Sequence, residues 1–288
     1  MMTGSPILTD EQFNGAASQT TSVRGGAIVA PDQMPHTSTI GSATIASSGT
    51  VGAGRVMTIG GTVSATFLML MALIAGAWFG WQRVVETVTR DRLGQVQVNA
   101  DLPAAWMFGS ILLGFVLVIA TSVKPTLSPY LAIPYAIAEG VFVGIISHVY
   151  DARFSGIVMQ AVLATAGVFV AMLLLHNNGV LRATPKFTKV VITATMGIAA
   201  MYLVGFVASL FGADLRFWSS PSPLGILVSV GIVVIAALNL IIDFDVIERG
   251  VAACAPSYMN WFGAIGVVVT LVWLYLEVLR LIAKLDSR

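Results

Sequence analysis

From residue 56 onward the chain alternates long apolar runs with short polar breaks, and seven of the runs approach 20 residues. A helix rises about 1.5 Å per residue, so roughly 20 apolar residues cross the ~30 Å hydrocarbon layer of a bilayer. The pattern predicts spans over 56–81, 104–123, 131–149, 156–175, 190–211, 224–243 and 261–282. Lipid offers backbone groups no hydrogen-bonding partner, and the runs lack the alternation of a barrel. The expected fold is therefore an all-α integral membrane protein, a seven-transmembrane-helix bundle. The breaks carry the usual punctuation: Lys124-Pro125, Pro129, His176-Asn177-Asn178-Gly179, Pro185, Pro223 and Ala255-Pro256. Residues 1–55 differ in kind. They are rich in Ser, Thr, Gly and Ala, follow neither helical nor strand periodicity, and cannot bury enough to offset the entropy of ordering. The expected organisation is a disordered N-terminal tail over 1–55 and a membrane domain over 56–288. With no charged n-region leading into an apolar core, no cleavable signal peptide is expected.

Composition narrows the function classes. Of 288 residues 57 % are hydrophobic and 10 % charged, against about 25 % charged in soluble domains. A net charge of +1 provides no nucleic-acid footprint. One cysteine, Cys254, excludes an intrachain disulfide. His36, His148 and His176 have no metal-ligand spacing, and no Gly-x-Ser-x-Gly elbow or Walker loop is present. No enzymatic activity and no cofactor are expected. Lys and Arg divide seven against eight between the two sides of the predicted bundle, so the positive-inside rule does not orient it. Gly76 with Gly80, and Gly140 with Gly144, are spaced for close helix crossings. Trp78, Trp81, Trp106, Trp218 and Trp261 fall near segment ends, where they act as interfacial anchors.

The chemistry lies in acids inside apolar runs, since a charge there costs a few kcal/mol or more and marks a functional position by default. In Asn239-Leu240-Ile241-Ile242-Asp243-Phe244-Asp245, Asn239 and Asp243 are four apart and share a helix face. Asp245 points about 200° away from Asp243 and has Arg249 four residues on as a local ion-pair partner. Glu139 sits mid-run with no base within a turn; it is neutral, hydrogen-bonded to Tyr135, or paired through space, as a structural acid or a cation or proton site. Glu277 either pairs with Arg280 at i, i+3 or faces the bundle and approaches Asp243. Two acids sharing such a site hold one proton between them and titrate as a pair.

Residues 56–283 resemble the Bax inhibitor-1/YccA-like family, the transmembrane Bax inhibitor motif family. The matching strings are Ala136-Ile137-Ala138-Glu139-Gly140 through Ile146-Ser147-His148-Val149-Tyr150, the Asn239 to Asp245 string, and Leu274-Tyr275-Leu276-Glu277 with Leu279-Arg280-Leu281. The closing stretch from Ala255-Pro256 through Trp261 to Leu285 is similar to the bacterial branch. The resemblance implies six helices around a central seventh, and a pH-sensitive Ca²⁺ leak channel of a bacterial inner membrane with a cytoplasmic N-terminus. Gating would come from an acid pair between the last two helices, also the possible Ca²⁺ ligands. Carried over, the sixth-helix acid is Asp243. The Leu-Tyr-Leu-acid string makes its partner Glu277; the terminal Leu-Arg-Leu puts Thr270 there instead, leaving Glu139 as a source of the second carboxylate. A basic latch near the third helix corresponds to Lys124. The lipid bilayer, Ca²⁺ and protons are the implied partners. Two other readings are a regulatory partner of a membrane protease, bound through the tail, and a proton-coupled transporter.

Overall fold

A computed structural model describes residues 56–90, 96–101, 103–211 and 222–287. The tail over 1–55, and Trp218 with it, lie outside the described residues. Seven helices are long and apolar enough to cross a membrane: α1 Ile59–Trp81, α2 Ala104–Val123, α3 Ser128–Asp151, α4 Ile157–Asn177, α5 Pro185–Leu210, α6 Pro223–Ala252 and α7 Met259–Asp286. Each coincides with a span read from the sequence; Pro125 and Pro256 stand in the breaks as expected, whereas Pro129, Pro185 and Pro223 lie in the first turns of helices. Pro185 and Pro223 open α5 and α6 in the first turn, where no N–H is needed. Thr184 and Ser222 cap those helices, accepting from the N–H groups of Phe187 and Gly225. Helix α6 also runs on past Asp243 to Ala252, so this acid is interior and not at a helix end.

Between α1 and α2 the chain forms a feature not expected from the run pattern. Strand β1 Val85–Arg90 pairs antiparallel with β2 Val96–Asp101, Val85 opposite Asp101 and Arg90 opposite Val96. The alternation in Val96-Gln97-Val98 is the period-2 signal for it. The face carrying this hairpin is called the hairpin face below, and the face where α1 begins the opposite face.

Helix α7 is the most buried span and packs on α1, α3, α4 and α6, while α2 rests on α3 and α5 on α6. Met69 and Leu240 are fully buried in one core with Leu274 and Leu279 of α7, whereas Phe67, Phe115, Leu163, Leu203 and Leu227 are exposed on the outer surface. Helix α1 crosses α3 at close range. The two glycine pairs interlock there: a Cβ on Gly76 or Gly80 would strike the carbonyls of Ile137 or Val141, and one on Gly140 or Gly144 those of Leu73 or Ala77. Polar ties fix α7 at both ends of the bundle. Asn260 Oδ1 accepts from the Thr58 N–H at 3.0 Å, and the hydroxyls of Ser147 and Tyr275 are 2.7 Å apart, linking α3 to α7.

Candidate functional site

The buried positions of α6, among them Ser229, Ile232, Ala236, Leu240 and Phe244, recur every three or four residues and turn one stripe inward. Asp243 lies at the edge of that stripe, against α7. The facing stretch of α7 is built from small side chains, Gly263, Gly266 and Thr270, which lets the helices approach closely. A Cβ on Gly266 would lie 3.5 Å from Asp243 Oδ1, and one on Gly263 would lie 3.1 Å from the side chain of Ile247. The Thr270 hydroxyl of α7 lies beside the Asp243 carboxyl. Asp243 Oδ2 is buried with no hydrogen-bond partner. Such an orphaned acceptor is costly in an apolar seam unless it carries a proton, meets water or binds a cation.

The remaining acids are held elsewhere. Glu277, only 2 % exposed, lies seven residues beyond Thr270, about 10 Å further along the axis. Its Oε1 accepts from Tyr202 of α5 at 2.6 Å and from Arg280 Nη1 at 2.8 Å, and its Oε2 accepts from the same nitrogen at 3.0 Å. The expected pairing of Glu277 with Asp243 is therefore not formed: Arg280, one turn on, reaches the carboxylate first, and Thr270 occupies the place opposite Asp243. Glu139 does not supply a second carboxylate either. It faces α2, where the missing side chain of Gly114 makes room for it and for Tyr135. Lys124 is exposed in the turn after α2, so it is not a latch on Asp243.

Asn239 and Asp243 share a side of α6 but serve different neighbours, since Asn239 donates to Thr195 of α5 at 2.8 Å. Asp245 pairs with Arg249 at 2.5 Å, the local ion pair expected from the spacing. The histidines stay apart: His148 Nδ1 lies 2.9 Å from the Trp81 carbonyl, and His176 Nε2 lies 3.1 Å from Glu248. Among the described residues, no group of three His, Cys, Asp or Glu side chains is placed to hold a metal. Sequence reasoning missed Thr195, Tyr202 and Ser229. Their sole signal is a polar side chain in an apolar run, and many such residues merely bond their own helix, as Thr165 does to Ala161.

The family model described as Bax inhibitor 1 like matches residues 5–287. The chain belongs to that family. In this Bax inhibitor 1 like protein the match extends into the tail, beyond the stretch from residue 56 that carries the resemblance by motif. No curated protein and no solved structure matches the chain.

Proposed function

We propose that this Bax inhibitor 1 like protein is a pH-sensitive leak pathway for cations, Ca²⁺ in particular, in a bacterial inner membrane, with a cytoplasmic N-terminus and no catalytic step. The observation that carries the reading is the buried, partnerless Oδ2 of Asp243 in the α6–α7 seam. With the carboxyl protonated, α6 and α7 pack over it. When the proton leaves, a bare carboxylate in that seam costs several kcal/mol, which water entry, helix separation or a bound cation relieves. A hard cation takes oxygen ligands, and the Asp243 carboxylate with the Thr270 hydroxyl supplies two. The resemblance suggested a pair of acids for this work; on the present reading one acid and one hydroxyl do it. Moving a gate from 1:99 to 99:1 takes about 5.5 kcal/mol, the size of penalty that burying one unpaired charge supplies.

The test is Ca²⁺ flux into liposomes carrying the full chain, measured across pH. Asp243→Asn keeps the shape and cannot ionise, so its flux is expected to stay at the closed level and to lose its dependence on pH. An unaltered pH profile would remove Asp243 from the mechanism. Deletion of residues 1–55 is expected to leave flux intact, which separates this reading from a protease partner bound through the tail.

A further inference from the structure

Helix α7 carries Thr270, Glu277 and Lys284 at intervals of seven, and a seven-residue repeat returns to nearly the same face of a helix, drifting about 20° each time. All three are buried, at 7 %, 2 % and 5 % exposure. Each meets a polar group on α5 or α6. Thr270 meets Asp243 of α6, Glu277 meets Tyr202 of α5, and Lys284 Nζ donates to Ser229 Oγ at 2.6 Å and to the Gly225 carbonyl at 3.1 Å, both of α6. Asn239 of α6 and Thr195 of α5 add a further bonded pair in the same three-helix junction. From Thr270 to Lys284 the stripe covers about 21 Å of axis, most of the hydrocarbon thickness. Elsewhere among the described residues polar side chains link helices one pair at a time, as Ser147 with Tyr275 does between α3 and α7, and α1 meets α3 by glycine against backbone. Ionisable side chains buried at membrane depth are costly to place there and, by default, mark an ion or proton pathway.

One level of that row is closed by a bonded ring. Tyr202 donates to Glu277, Arg280 Nη1 donates to Glu277 at 2.8 and 3.0 Å, and the same nitrogen donates to the Tyr202 hydroxyl at 2.8 Å. The guanidinium occupies the carboxylate oxygens that a passing cation would need, and it also lies 5.3 Å from the centre of the Tyr202 ring.

We propose that the cation route runs along the α5–α6–α7 junction and has a second gate, the Tyr202–Glu277–Arg280 ring, on the hairpin side of Asp243. Opening exchanges Arg280 for the cation at Glu277. Among the described residues the ring also ties α5 to α7 by side-chain hydrogen bonds, so releasing it loosens α5 from the row. This proposal rests on the leak reading above, and a comparison of variants separates the two.

The experiment uses the full chain in liposomes, with Ca²⁺ as the probe and flux read at a pH where the wild type is closed and at one where it is open. Tyr202→Phe keeps the aromatic ring and removes the hydroxyl; it is expected to raise the closed-state leak several-fold. Glu277→Gln removes the carboxylate ligand and is expected to lower open-state flux several-fold, while Arg280→Lys keeps the positive charge and is expected to hold the leak below that of Tyr202→Phe. A measurement independent of flux places cysteines at Ser229 or Thr195 in a Cys254→Ser background and treats them with a charged, water-soluble thiol reagent. Labelling is expected to rise at both positions when Tyr202→Phe is added, with a lipid-facing Leu203→Cys control staying unlabelled. If Tyr202→Phe and Glu277→Gln keep wild-type flux while Asp243→Asn alters the pH profile, the second gate is overturned and the Asp243 reading stands. If the wild type passes no Ca²⁺ at any pH, both fall.

Discussion

Asp243 and Glu277 are both acids placed deep in apolar helices, and their neighbours give them different work. Glu277 is surrounded by donors from Tyr202 and Arg280, so its charge is matched inside the protein. Asp243 has a threonine hydroxyl beside it and an oxygen without a partner, so on the proposed reading its charge state decides whether the seam around it is dry. Replacing the hydroxyl by a second acid, Thr270→Asp, builds the pair that the resemblance implies. Flux in that variant is expected to change more steeply with pH, because two carboxyls in one dry site release their protons as a coupled pair; a flux curve of unchanged steepness would show that Thr270 is not at the switch. Loss of a buried hydrogen bond outside the α5–α6–α7 junction is expected to affect stability only. Ser147→Ala strands the Tyr275 hydroxyl and is expected to cost about 1–3 kcal/mol, read as a lowered unfolding midpoint with the pH profile of flux retained. At this scale the sequence revealed which residues are chemically unusual but not which of them meet. Spacing left Glu277 open as a partner of Asp243 and the resemblance added Thr270 and Glu139, because helix periodicity fixes directions on one helix and leaves undetermined which neighbour fills each direction.

The helices themselves were the most legible part, since run length against bilayer thickness is a one-dimensional criterion. Their ends were less so. Prolines read as breaks turned out to start α5 and α6, and α6 continued beyond Asp243 through charged residues that pair locally, such as Asp245 with Arg249. The β-hairpin between α1 and α2 was overlooked because it lies in a polar stretch between two apolar runs. The glycine pairs are spaced for close crossings, yet spacing cannot reveal that they face each other. Their contact sets an element-scale expectation. Gly144→Val pushes a side chain into the backbone of α1 at Ala77 and is expected to destabilise by about 1–3 kcal/mol or more. Gly167→Ala, with open space around it, is expected to be neutral or to stabilise by up to ~1 kcal/mol. Thermal unfolding in detergent compares the two, and equal midpoints would contradict the interlocked crossing.

For the membrane domain as a whole, the central place of α7 makes the account coherent. The last helix touches the elements that carry the polar groups, so a change in how α6 or α5 sits against it alters the row from Asp243 to Lys284. Membership of the Bax inhibitor 1 like family, matched over residues 5–287, is consistent with that architecture, while the proton-dependent cation leak is the proposal that the lone buried carboxyl motivates. The most direct measurement is an infrared titration of the protonated-carboxyl band in lipid-reconstituted protein, with Ca²⁺ flux followed on the same vesicles, for the wild type and Asp243→Asn. The account expects a band that disappears as pH rises, with a midpoint matching the rise in flux, and that is missing from Asp243→Asn. A band unchanged by Asp243→Asn, or a flux midpoint unrelated to the band, would contradict the claim that this proton sets the gate.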